Sequence, residues 1–162
     1  MKEIPLAHKK GVALVDDADF ELVTMFKWHM KSKGRAATNL PKISGKQPTL
    51  LMHRLIMDAK AGQQIDHING DPLDNRRENL RFCTASQNKA NTKRHSDCTS
   101  GYKGVTWQKS VDKWQAQIQV NGKKKYLGCF GTADDAAKAY DQAAIEHFGE
   151  FARPNFQIGE KI

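Results

Sequence analysis

Residues 65–91 read IDHINGDPLDNRRENLRFCTASQNKAN, and the reading of the whole chain turns on them. A carboxylate stands beside an imidazole (Asp66, His67), followed by a polar loop rich in Asn, Asp and Arg that contains Pro72, and then by a short apolar run from Leu80 to Cys83. Thr84 to Gln87 has the form of a capping box, so a helix carrying Asn88 is predicted to begin there. Such a mixture suits a site better than a core. Asp66 and Asn88 offer hard oxygen ligands, and His67 offers a base that titrates near neutrality. These are the parts for metal-assisted attack of water on a phosphodiester. Neighbours in an extended strand point to opposite faces, so Asp66 and His67 need a local twist or bulge to serve one site. The turn residues Asn69, Gly70, Asp71 and Pro72 stand where such an irregularity would form.

This stretch resembles the HNH endonuclease motif, in the variant of phage and intron-encoded homing endonucleases. The matching positions are Asp66-His67, Asn79 in RRENL, and Asn88 in SQNKAN. The resemblance implies that His67 is the general base, that Asp66 and Asn88 hold one divalent ion, and that Asn79 fixes the loop. With Asn rather than His at the last position, Mg²⁺ is favoured over zinc, with Mn²⁺ as an alternative.

A net charge of +8, from 26 basic against 18 acidic residues among 162, fits a polyanionic partner, since neutralised phosphates release counterions. A basic protein without such a partner fits the same balance. No window approaches the roughly 18 apolar residues of a membrane span, and MKEIPLAHKKG lacks the apolar run of a secretory signal. The expected setting is cytoplasmic, in a bacterial or phage-infected host cell. Cys83, Cys98 and Cys129 are widely spaced and odd in number, which fits free thiols better than a disulfide frame or a zinc ribbon.

Upstream of the motif the chain reads as a small α+β scaffold. The apolar run Gly11 to Val15 precedes a helix that Asp16, Asp17 or Asp19 could cap, and Lys27 to Met30 and Arg35 to Leu40 read as further strands. Residues 40–48 are a loop by composition, and Thr49 to Met57 supply apolar surface beneath the strand that holds His67. His53 and Arg54 fall near the expected phosphate. Arg54 suits a bidentate phosphate clamp, although a surface ion pair explains it almost as well. Arg76 and Arg77 would bring positive charge to the scissile phosphate; a solvated charge run is the alternative. Residues 92–100 read as a polar linker in which Lys93 and Arg94 could track a DNA backbone or merely tether.

Beyond the linker the grammar changes. Tyr102 to Trp107, the period-two run Trp114 to Val120, and Lys123 to Phe130 after an Asn121-Gly122 turn predict three antiparallel strands. Thr132 then caps a helix of alanines at helical spacing that stops at Gly149. YKGVTW, KWQAQIQV and KKYLGCFGTADDAAKAYDQAAIEHFGEFARPNF resemble an AP2 domain, whose exposed sheet face enters the DNA major groove. Carried over by position, the resemblance implies DNA contacts from Lys103, Thr106, Gln108, Gln117, Gln119, Lys124 and Tyr126. The plant members mostly have Arg, Glu and Trp there, so adenine reading by glutamine or nonspecific backbone contact is implied instead. The glutamines also fit the wet side of a half-buried sheet.

The expected architecture is α+β: an HNH nuclease domain of ββα-metal type with its N-terminal scaffold (1–91), a linker (92–100), and an AP2-like three-stranded sheet plus helix (101–157). The expected function is that of a sequence-directed DNA endonuclease of homing type, acting on double-stranded DNA as a monomer, with a dimer as the alternative. A non-catalytic DNA-binding regulator with a degenerate HNH domain is the competing reading.

Overall fold

The computed structural model describes residues 1–7, 11–93 and 99–156. The chain forms two compact units, Met1–Cys83 and Thr84–Ile162.

In the first unit, β1 (Lys2–Pro5) pairs antiparallel with β2 (Val12–Val15), followed by a 3₁₀ turn and the short helix α1 (Phe20–Thr24). β3 (His29–Met30), β4 (Ala36–Asn39) and β5 (Thr49–Leu51) form an antiparallel sheet, and α2 (Met52–Ile56) follows β5 directly. The apolar segment 49–57 thus divides into strand and helix, which brings His53 onto a helix. β6 (Gln64–His67) and β7 (Leu80–Cys83) make the hairpin that carries Asp66 and His67. Ile4, Val15, Val23, Trp28, Met52, Ile56, Ile65 and Leu80 share one core. The indole N–H of Trp28 donates to Val23 O at 2.8 Å, so the largest aromatic side chain of this core has its polar group satisfied.

The second unit opens with α3 (Ala85–Ala90), capped by the predicted box: Gln87 N donates to Thr84 Oγ1 at 3.2 Å, and Thr84 N donates to Gln87 Oε1 at 2.8 Å. β8 (Val105–Gln108), β9 (Lys113–Val120) and β10 (Lys123–Phe130) form an antiparallel meander with β9 in the middle. α4 (Ala133–Phe148) covers one face with Ala136, Ala137, Tyr140, Ala143 and Ala144 against Val105, Ala116 and Ile118. Short side chains let the helix backbone lie close to the strands. A bulge between Tyr126 and Gly128 leaves Leu127 outside the β9–β10 ladder and packed into the core.

The first strand begins at Val105 rather than Tyr102 because Gly104 has φ +78°, outside the strand region. A β-carbon at Gly104 would stand 2.1 Å from Tyr140 Cδ2 and 2.8 Å from Gln117 O. Gly104→Ala therefore combines left-handed strain with overpacking against α4. It is expected to cost the second unit roughly 2–4 kcal/mol, read as a lower urea midpoint with the fold of the first unit retained.

Candidate active site and nucleic-acid interface

The β6–β7 ladder runs without a register shift, with Asp66 opposite Arg81 and His67 opposite Leu80. The expected bulge does not form here. Regular alternation sends the two side chains to opposite faces of the ribbon. On one side Asp66, buried, receives Arg81 Nη2 at 2.9 Å and Nε at 3.1 Å. On the other, the His67 ring meets the edge of His53 with centroids 5.0 Å apart and planes at 84°, and His67 Nε2 lies 3.4 Å from Asn75 Oδ1.

The connecting loop is held by the side chain of Asn79, itself buried. Asn79 Oδ1 accepts from Asn69 N at 2.9 Å, and Nδ2 donates to Asp74 O at 2.8 Å. The loop is further fastened to β2, where Leu14 N donates to Leu73 O and Asn75 N to Leu14 O, both at 2.8 Å.

The arginines near the motif have carboxylate or carbonyl partners within the protein. Arg54 donates to the carbonyls of Ala59, Lys60 and Gln63 and so closes the loop between α2 and β6. Arg76 grips Asp74 at 2.7 and 2.8 Å and reaches Glu78, and its guanidinium holds the Asp74 carboxyl below the usual range. Arg77 grips buried Asp19 at 2.7 and 2.8 Å, tying the hairpin loop to the turn before α1.

Burial sets the histidine charges. It pushes His53, 6% exposed, down to about 3, helped by His67 and by the positive charge of Arg35 and Arg54. Burial also lowers His67, against the opposing pull of Asn75 and of the Asp66, Asp71 and Asp74 carboxylates. At neutral pH His67 is therefore an uncharged imidazole, the form that a base requires.

In the second unit, cross-strand pairing puts Thr106 opposite Gln115, Tyr126 opposite Gln117 and Lys124 opposite Gln119, so these six share the sheet face away from α4. Thr106, Gln108, Lys124 and Tyr126 are exposed. Gln117 and Gln119 are half-buried, and Gln119 accepts from Lys89 Nζ at 2.5 Å. Lys103, ahead of β8, lines one cavity with Gln117, Gln119 and Lys124. Its ammonium turns inward to Ala90 O and, at 3.0 Å, to Thr92 O, and burial pushes it down to about 8. Lys93 is exposed, Asn88 is half-buried on α3, and Arg94 lies outside the described residues.

Models of two families match: HNH endonuclease over residues 51–90, and AP2 domain over residues 100–150. Over 154 residues the chain is 32% identical to an uncharacterized HNH endonuclease of Acanthamoeba polyphaga mimivirus, covering 93% of this chain and 78% of that protein. The chain belongs to the HNH endonuclease family. It is also 45% identical over 62 residues to the AP2-like ethylene-responsive transcription factor TOE2 of Arabidopsis thaliana, spanning 13% of that protein and 38% of this HNH chain. A solved structure of the HNH homing endonuclease I-HmuI, described as concerning DNA binding and cleavage, is similar over 70% of this chain and 66% of that one, with 24% identity and a TM-score of 0.37.

The HNH match takes in α2, the β6–β7 hairpin and α3, which follow one another along the chain in β-β-α order at the motif. Family membership implies a divalent ion, and the motif's donors fit one in kind: the carboxylate of Asp66 and the side-chain amide oxygen of Asn88. Among the described residues no three of His, Cys, Asp and Glu cluster to hold a metal. A Mg²⁺ site needs no such cage, because one or two protein oxygens act together with phosphate oxygens and water. No helix among the described residues is long and apolar enough to cross a membrane.

Sequence reasoning missed Arg81 and Asn75. A regular hairpin register would have pointed to Arg81 as the partner of Asp66, whereas nothing local marks Asn75. Arg81→Leu removes the guanidinium from a buried carboxylate and is expected to cost the first unit about 3–5 kcal/mol, measured by urea unfolding.

The two histidines also give a pH signature. Below 6.5 the unfolded chain takes up protons on His53 that the folded chain refuses until about pH 3. Stability is thus complete above 6.5 and falls as the pH drops toward 3. The slope from this residue is at most about 1.4 kcal/mol per pH unit, and His53→Phe should flatten that limb in denaturation curves taken across the interval.

Proposed function

We propose that this chain is a DNA endonuclease that hydrolyses phosphodiester bonds, with His67 as general base and with Asp66 and Asn88 as protein ligands of a divalent ion, Mg²⁺ in preference to Mn²⁺. The observation that carries the reading is a half-buried imidazole set against His53 and Asn75 on a hairpin of an HNH family member, with the buried Asp66 carboxylate on the opposite face of the same ribbon. The match of Asn88 to the motif supports its role. When bound, the ion supplies Lewis-acid stabilisation of the charge on the phosphate and on the departing oxygen. His67 takes a proton from water, and the carboxylate and amide oxygens orient and hold their ligand. Asn79 keeps the hairpin loop in shape and so serves the base without supplying chemistry.

Double-stranded DNA is the proposed substrate and the sheet of the second unit its reader. Thr106, Gln108, Gln117, Gln119, Lys124 and Tyr126 present amides, a hydroxyl, an ammonium and an aromatic ring on one face. That chemistry suits adenine edges and backbone phosphates. Exposed Lys93 adds charge, and Arg94 is proposed on sequence alone. Lys103, Arg54, Arg76 and Arg77 serve DNA only by sharing or exchanging their present partners. The proposed setting is the cytoplasm of a bacterial or phage-infected cell, with a domain of 1–91, a connector of 92–100 and a reader of 101–157.

Supercoiled plasmid with Mg²⁺ is expected to be cut by the parent protein. His67→Ala should lower the rate by roughly 10²–10⁴-fold while the gel-shift affinity for the same DNA is kept. DNA retained but left intact by the parent protein at every metal tried would assign the chain as a binding regulator instead.

A further inference from the structure

Asn75 is completely buried in a protein loop, an unusual place for a side-chain amide that caps no helix. Three contacts fix it. Its main-chain N–H donates to Leu14 O at 2.8 Å, and its Nδ2 donates to Leu73 O at 3.0 Å. Its Oδ1 lies 3.4 Å from His67 Nε2. Turning the amide over would set its oxygen against the Leu73 carbonyl and its NH₂ against the imidazole, so the neighbouring carbonyl decides which end faces the ring. An amide oxygen only accepts. The ring nitrogen that it meets must therefore bear the hydrogen.

Resting on the proposed role of His67 as base, we propose that Asn75 is a positioning residue that selects the Nε2–H tautomer of His67 and thereby makes Nδ1 the atom that takes the proton from water. In that step a water O–H bond breaks and an Nδ1–H bond forms, the hydroxide oxygen bonds to phosphorus as the bond from phosphorus to the departing oxygen breaks, and that oxygen takes a proton from solvent. The imidazolium then carries one positive charge until it returns the proton to solvent. The Asn75 carbonyl dipole, already aimed at Nε2, stabilises that charge. His53 completes the setting: its ring packs edge-on against His67, and because burial keeps it uncharged it places no second cation beside the developing imidazolium. Orientation and tautomer are the same assistance that histidines in hydrolytic sites commonly receive from a carboxylate or carbonyl. Here an amide that sequence spacing does not single out provides it.

The experiment is a ring-¹⁵N NMR measurement on the metal-free, full-length protein at about pH 8, where histidine is neutral, joined to plasmid cleavage kinetics. The parent protein is expected to show His67 as the Nε2–H tautomer. Asn75→Leu, which fills the space without an acceptor, should shift His67 toward Nδ1–H and lower kcat by roughly 10–100-fold with KM unchanged. Asn75→Asp keeps an acceptor for the ring while losing the donor to Leu73 O, and should hold the Nε2–H tautomer that Asn75→Leu loses. An Nδ1–H ring in the parent protein overturns the proposal even if Asn75→Leu fails to fold, and so does an Nε2–H ring that survives in Asn75→Leu. Undiminished cleavage by His67→Ala, with the Nε2–H tautomer present in the parent protein, sinks the base assignment and with it the catalytic half of the proposal.

Discussion

A single side-chain amide holds the hairpin loop in register. Asn79 uses its oxygen on the Asn69 N–H and its nitrogen on the Asp74 carbonyl, so the polar loop between β6 and β7 is closed by one residue at its far end. Buried backbone groups need partners, and a loop with so few apolar residues cannot be fixed by packing alone. With Asn79 in place, Asp74 can receive Arg76, Asn75 can reach His67, and Arg77 can reach across to Asp19. The chemistry of the hairpin thus rests on hydrogen bonds rather than on hydrophobic burial. Ile65 and Leu80 at its ends are buried in the core, and of the loop Leu73 packs against it.

The second unit depends on close approach instead. Gly104 allows the backbone to pass beneath Tyr140, and the alanines of α4 let the helix settle against β8 and β9. Polar contacts finish what packing begins. Asp141, buried on α4, accepts from Asn155 N at 2.8 Å, from Asn155 Nδ2 at 2.9 Å and from Phe156 N at 3.0 Å, binding the segment after the helix back onto it. Asn155 in turn receives the Lys103 N–H at 2.6 Å, which steadies the approach to β8.

Local signals in the sequence were followed closely by the fold. The Thr84 capping box, the Thr132 cap and the Gly149 stop appear where residue chemistry puts them. The Asn121-Gly122 turn has positive φ at both residues, as a two-residue hairpin of this type requires. The alternation in β9 sorts Ala116 and Ile118 inward and the glutamines outward. What escaped was long-range pairing of charged groups. Arg77 meets Asp19, 58 positions away, and Lys103 turns toward the end of α3, and neither partner is visible from neighbouring residues. Residue type correctly marked the arginines as suited to anions. It could not say that the anions would be the protein's own carboxylates, or that Arg54 would spend its guanidinium on three loop carbonyls. The regular hairpin likewise corrected the expectation of a bulge, because the loop residues build their irregularity after His67 and not within the strand.

The attachments of α3 limit how this chain could be recombined. Ala90 lies in one core with Ile118, Tyr140 and Phe148, Ser86 Oγ accepts from Asn121 N at 3.0 Å, and Lys89 reaches Gln119. A shuffling event or an engineered graft that exchanged the three-stranded sheet and α4 at residues 92–100 would leave behind a helix shaped for the lost sheet. A crossover between Cys83 and Thr84 would instead carry away the helix that bears Asn88, dividing the motif itself. A chimera made by swapping these sheets therefore has to transplant the Ser86, Lys89 and Ala90 footprint onto the incoming sheet, or redesign it.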